Sequence, residues 1–302
     1  MFETPVLFLI FNREDTTQRV FDAIRQQKPK YLFVAADGAR KHRPDEVEKC
    51  RRVKDIIKKV DWDCELKTLY REENLGCKIA VSSAITWFFE NVEQGIILED
   101  DCLPDPSFFP FCEELLIRYK DDNRVGHIGG NCNFPDAITD GLSYDFCSIS
   151  HIWGWASWRR VWQNYDVNFS YWNEAQKSRI KRKSLFKNLK EEIYFSSFLP
   201  DALNGNKGIN TWDVQFHYML RVQHQLSVYP AVNLVSNIGI SSFDATHKAS
   251  RRTKKYIIQT KSIAFPLHHP LYKIANHQID SLTFGTIFFS YKRLLRFLLH
   301  LL

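Results

Sequence analysis

Four apolar runs rich in β-branched and aromatic residues alternate with amphipathic stretches over the first hundred residues. That alternation limits the fold more than any other feature of the chain. Residues 6–11, 31–36, 66–70 and 95–98 read as strands, bounded by Asn, Asp and Gly. Between them, residues 15–27, 44–59 and 76–91 carry helical periodicity. Strands and helices alternating at this pace predict a parallel sheet wound right-handedly, with its loops gathered at the C-terminal edge of the strands. Open α/β sheets hold their ligands along that edge.

The fourth strand runs into Glu99-Asp100-Asp101. Three consecutive carboxylates repel one another unless a counter-ion joins them, and hard oxygen donors in a short turn suit Mg²⁺ or Mn²⁺. A metal held by one or two carboxylates is usually completed by substrate phosphates, so the turn points to a nucleotide. The competing explanation, that these acids cap the helix expected near Pro106, is weakened because Asp105 already stands at that place.

Of the 302 residues, 44% are hydrophobic and 14% aromatic, enough to bury a full core and unlike a disordered or fibrous chain. The formal charge of +6 is mild, which suits an anionic small ligand or a membrane surface and argues against nucleic acid as a partner. The seven cysteines form no CxxC pair and, being odd in number, cannot all be bridged, so a reducing, cytoplasmic setting is expected. No secretory signal pattern precedes the first strand.

The other loops of the predicted edge add ligand-bearing groups. Asn12-Arg13 follows the first strand, Asp37-Gly38 the second, and Asn74-Leu75-Gly76 opens the helix after the third. Arg13 can pair a phosphate, Asp37 can accept from a nucleobase or ribose, and the amides at Gly76 favour an anion. Taken singly, each loop is an ordinary turn, helix entry or solvated charge.

In this order the motifs resemble those of GT-A fold glycosyltransferases with an acidic DXD-type motif, and among them the N-acetylglucosaminyltransferase I family. The residues that carry the likeness are Glu99-Asp100-Asp101, the following Pro106-Ser107-Phe108-Phe109, the Gly154-Trp155 segment, Trp212-Asp213, and Ala245-Thr246-His247. The likeness spans roughly residues 5 to 250 in ordered motifs. It implies an α/β, GT-A, Rossmann-like sheet with flanking helices over residues 1–247. Residues 1–130 would form the nucleotide-sugar half and 131–247 the acceptor half, followed by a basic loop and an amphipathic helical tail over 248–302.

The same resemblance distributes roles. Asp101 and His247 would contact a metal, Mn²⁺ or Mg²⁺, while Glu99 and Asp100 would orient the ribose and donor sugar. Asp213 would be the base, and Gly154 and Trp155 the acceptor contact. Two departures are visible. The family has two adjacent acids after the tryptophan where this chain has Asp213-Val214, and a nucleotide-binding histidine where this chain has Ser82-Ser83. Four tryptophans fall in residues 151–162; exposed, they would form a platform for sugar rings, and buried, they would pack the sheet. The spacing of Trp155, Trp158 and Trp162 predicts one helical stripe that packs.

Two basic stretches follow. Residues 248–261 hold six Lys or Arg and no acid, suited to screening a pyrophosphate, and residues 177–190 hold seven. From Phe284 to the end, Lys292, Arg293, Arg296 and His300 lie opposite an apolar face, which predicts a helix resting on an anionic membrane rather than spanning it. The expected function is transfer of a sugar from a nucleotide diphosphate sugar, a UDP-sugar by preference, to a glycan or lipid-linked saccharide acceptor. The setting would be cytoplasmic, at the inner face of the membrane. A sugar-1-phosphate nucleotidyltransferase is the rival enzyme, but it would carry a Gly-rich basic loop after the first strand, where this chain has Phe11-Asn12-Arg13-Glu14-Asp15. A non-catalytic carbohydrate-binding or nucleotide-binding protein on the same fold is the third alternative.

Overall fold

The computed structural model describes residues 2–138, 141–176, 178, 185–186, 189–203, 210–239, 258–288 and 294–295. Its first half follows the expected alternation: β1 (Val6–Ile10), α1 (Glu14–Gln27), β2 (Tyr31–Ala36), α2 (Asp45–Ile57), β3 (Glu65–Tyr70), α3 (Gly76–Asn91) and β4 (Gln94–Glu99). All five residues of β1 are buried, and β2 and β4 are buried through their middles, because helices cover both faces of the parallel part of the sheet. The edge strand β3 keeps much of its length exposed.

Beyond β4 come β5 (Cys102–Pro104), α4 (Phe108–Arg118), β6 (Val125–Gly129), β7 (Tyr144–Cys147), β8 (Trp155–Trp158), α5 (Arg159–Trp162), α6 (Ser170–Gln176), α7 (Leu189–Leu203), α8 (Asp213–Val222), β9 (Leu226–Pro230), β10 (Val235–Asn237) and α9 (His277–Leu282). Among the described residues, eight strands form one sheet in the order β3-β2-β1-β4-β8-β6-β9-β7, and β5 and β10 form a separate ribbon. Strands β3, β2, β1 and β4 are parallel, whereas β8 runs antiparallel to both β4 and β6. The architecture is a mixed α/β, Rossmann-like sheet flanked by helices.

Three expectations change here. Trp155 and Trp158 lie on a strand, not on a helical stripe; only Arg159–Trp162 turns helical. The split at residue 130 does not separate two halves in space, since β6 sits between β8 and β9. Part of the supposed tail belongs to the body: Ile263 and Leu267 join the main core, Ala275 bridges to Phe146, and the Asp280 carboxylate accepts from Ser148 N at 2.8 Å. Phe284, assigned by sequence to a membrane face, is buried against Tyr194 and Phe195. His247, the basic stretch 248–257, most of 177–190 and most of the terminal amphipathic segment lie outside the described residues. Among the described residues, no helix is long and apolar enough to cross a membrane.

Candidate active site

Parallel register places the chemistry. Leu9 pairs with both Ala35 and Glu99, so β1, β2 and β4 end level, and Arg13, Asp37 and the acid triplet emerge at one edge. Asp100 is buried and turned back toward β1, where Phe11 N donates to Asp100 Oδ2 at 3.2 Å. Arg13, at the start of α1, bridges the acids: its Nη1 lies 2.6 Å from Asp101 Oδ2 and 3.5 Å from Asp100 Oδ1. Burial works against the charged guanidinium, but the facing acids outweigh it and hold Arg13 above its ordinary value.

One guanidinium does not neutralise three carboxylates. Burial, followed by repulsion from Asp101 and Asp100, pushes Glu99 well above the carboxylate range, with Asp213 adding to the effect. Asp100 is raised for the same reasons, burial first and Asp101 next, and Arg13 only partly opposes this. Asp213 is near enough to add to the rise of Glu99 although 112 positions separate Asp101 from Asp213 in the chain.

The ribbon of β5 and β10 roofs the acid turn. Asn237 Nδ2 donates to Asp101 Oδ1 at 3.2 Å, and Ile238 N donates to the Asp101 carbonyl at 2.8 Å. Gly239 comes so close that a Cβ there would stand 2.4 Å from Asp101 Oδ2. Thus Asp101 is held by Arg13 from below and by residues 237–239 from above.

Asp37 and Gly76 meet each other. Asp37 Oδ1 accepts from Leu75 N at 2.9 Å, and Oδ2 accepts from Gly76 N at 3.0 Å and Asn74 Nδ2 at 2.9 Å. The carboxylate therefore occupies the amides expected to bind an anion, and Asn210 Oδ1 takes Lys78 N at 2.9 Å beside it. Gly76 has φ +75°, and a Cβ would strike Asn210 Nδ2 at 2.5 Å, which explains a glycine at this tie between loops. The assignment of the Gly76 amides to an anion from solution is corrected accordingly, since the anion they hold is Asp37. Ser82 and Ser83 also turn inward, bonding to carbonyls of their own helix.

The acceptor assignments to Gly154 and Trp155 are overturned as well. Trp155 is fully buried, stacked on Trp212 at 5.6 Å between ring centroids and against His127 at 5.7 Å. Gly154 is buried with φ +64°, and Val235 fills the space a Cβ would need. Both therefore belong to the floor beneath the site. That floor, Trp155, Trp162, Trp212 and Phe216, carries the start of α8. Asp213 is the first residue of α8, bonded to the Thr211 hydroxyl. Tyr165 OH donates to the Trp212 carbonyl at 3.1 Å; burial, and then the Asp213 charge, push that phenol upward.

Above the floor, Asp213 lines a cavity of about 40 Å³ with Ser150, Ile152, Tyr194, Val214 and His217. His217 was not singled out by sequence. Its spacing of four from Asp213 on one helix was the available signal.

The carboxylates of the turn are hard oxygen donors of the kind a divalent cation takes, with Asp101 held by Arg13 at 2.6 Å and by Asn237 at 3.2 Å. Among the described residues, no three His, Cys, Asp or Glu side chains make up a complete ligand set, so phosphate oxygens would have to supply the rest.

No protein-family model matches the chain, and no curated protein matches it. Among solved structures it is similar to HddC from Yersinia pseudotuberculosis, at 11% identity and TM-score 0.33, covering 56% of this chain and 83% of that one. It is also similar to 4-diphosphocytidyl-2C-methyl-D-erythritol synthase from Anaerococcus prevotii, at 10% identity and TM-score 0.30, covering 65% and 84%. A third is a CMP:2-keto-3-deoxy-manno-octonic acid synthetase complexed with CTP, at 13% identity and TM-score 0.33, covering 69% and 88%. Likenesses at these scores carry no argument about what this chain binds or does.

Proposed function

We propose that the chain is a metal-dependent glycosyltransferase that moves a sugar from a nucleotide diphosphate sugar to a hydroxyl-bearing saccharide acceptor. The observation that supports this best is the strand register that brings Arg13 and the Glu99-Asp100-Asp101 turn to one C-terminal edge of the sheet, with Asp213 near enough to act on Glu99. Asp101 would hold Mn²⁺ or Mg²⁺, and the ion, when bound, supplies positive charge at the diphosphate. Arg13, now paired with Asp101, would face the same phosphates and Glu99 would orient the donor sugar, while Asp100, buried against Phe11 N, holds the turn rather than touching the donor.

The bond changes balance without a further reactant. The acceptor oxygen bonds to the anomeric carbon as the bond from that carbon to the diphosphate oxygen breaks, and its electron pair leaves with the nucleotide diphosphate. Asp213 takes the acceptor proton, so the anomeric configuration inverts. The buried tryptophan floor fixes Asp213 at the head of α8, which keeps the base in place before the acceptor arrives.

The test is nucleotide diphosphate release from a panel of nucleotide sugars with Mn²⁺, comparing wild type with Asp101→Ala. Release from one donor, abolished by EDTA and reduced about a hundredfold or more in the variant, is the expected result. Release of pyrophosphate from a nucleoside triphosphate and a sugar 1-phosphate, with no diphosphate release, would overturn it in favour of a nucleotidyltransferase.

A further inference from the structure

We propose that His217, with Ser150 and Asp213, forms a subsite that grips a ring hydroxyl or hydroxymethyl group of the saccharide acceptor, which makes His217 an acceptor-positioning residue. The inference rests on the transferase reading above and assigns the acceptor's place within it.

Three observations carry it. The first is the tautomer. Ser150 N donates to His217 Nδ1 at 3.0 Å, so Nδ1 is the unprotonated nitrogen and the ring hydrogen sits on Nε2. Burial, with Arg221 and the neighbouring His151 and His127, keeps the ring neutral, which preserves this arrangement.

The second is the unmet donor. His217 is 93% buried, taken from its 7% exposure, yet Nε2 finds no hydrogen-bond partner among the described residues. A buried N–H without an acceptor is costly, and an incoming oxygen would relieve it. The ring cannot easily swing to find another, because Phe195 stacks on it at 5.3 Å with an interplanar angle of 10°.

The third is the cavity. About 40 Å³ accommodates a substituent rather than a sugar ring. Ile152 and Val214 supply apolar wall, suited to the C–H faces of a sugar, while Asp213 and His217 sit one helical turn apart on the same wall. A carboxylate acceptor beside an imidazole donor matches two neighbouring oxygens of a polyol, one giving its proton to Asp213 and one accepting from Nε2.

Long-range ¹⁵N NMR of the histidine rings, with methyl glycosides of glucose, galactose and N-acetylglucosamine as probes, tests this without turnover. The His217 Nε2 resonance is expected to shift with at least one glycoside, and to do so equally in Asp101→Ala. A shift without any diphosphate release would keep the hydroxyl subsite while the donor reading fails. No shift with any glycoside at tens of millimolar would overturn the subsite even if donor turnover is found. Where turnover is found, His217→Phe should raise the acceptor KM about tenfold with a smaller change in kcat, and His217→Gln, which keeps a donor near Nε2, should recover part of it. An unchanged acceptor KM in a folded His217→Phe protein would also overturn it.

Discussion

A Cβ at Gly239 would stand 2.4 Å from Asp101 Oδ2 and 2.7 Å from Asp101 Cβ, so Gly239→Ala must push the acid or the roof out of place. The contact is local and removes no buried apolar group. Donor turnover should fall about tenfold or more, while thermal stability shifts by only about 1 kcal/mol, read from paired assays and melting curves. Equal turnover in the variant would place the donor away from Asp101. At this scale the sequence picked out side chains that the fold brings to one edge, but not the partners that all of them take there. Arg13, Glu99, Asp100 and Asp101 come together as the pattern of strand ends suggested, and Asp213, named only through the family resemblance, is near enough to act on Glu99. Asp37 and Gly76 come together too, but as a carboxylate on amides 39 positions away, and nothing in linear order reveals that such a pair satisfies itself. His217 gave only its spacing from Asp213, and its significance depends on Ser150, which lies 67 positions before it.

Among the elements, β8 shows why the second half was harder to read. A strand buried on one face alternates apolar and polar residues, but Trp155–Trp158 is buried throughout, between β4 and β6, so no alternation survives. Its tryptophans, three apart and followed by Trp162 at four, imitate a helix instead. The parallel strands of the first half escaped this ambiguity because short apolar runs were separated by long amphipathic helices with clear punctuation. The role of β8 as floor makes a measurable claim. Trp155→Ala should destabilise the protein by about 3–5 kcal/mol through the cavity left under Trp212 and Phe216. Denaturant unfolding checks it; a stable variant with only a weakened acceptor KM would restore Trp155 to the sugar-binding surface.

For the molecule as a whole, three buried histidines shape the response to acid. Burial lowers His127 to about 3 and His151 to about 4, and holds His217 well below its usual value. Below about pH 6.5 the unfolded chain protonates these rings while the folded one does not, so each removes stability as pH falls, by about 1.4 kcal/mol per pH unit. Glu99 and Asp100, raised by burial, act with the opposite sign over the same range, since the folded state binds their protons first. The net slope is therefore a difference, and a single variant isolates one contribution. His127→Phe keeps the ring that stacks on Trp155 and loses no hydrogen bond, because neither His127 nitrogen has a partner among the described residues. Its stability at pH 5 relative to pH 7 should exceed that of wild type by about 2 kcal/mol, measured by urea titration at both values. An unchanged difference would mean that His127 titrates in the folded protein. Composition and strand pattern had foretold a large core, but not that charged-capable side chains would be sealed within it. The same sealed sheet ties the two halves of the chain together. Since β4 is hydrogen-bonded to β8, and β6 is threaded between β8 and β9, the strands that carry the acid turn and those that carry the tryptophan floor are parts of one slab, so a distortion of β8 is felt on both of its flanks.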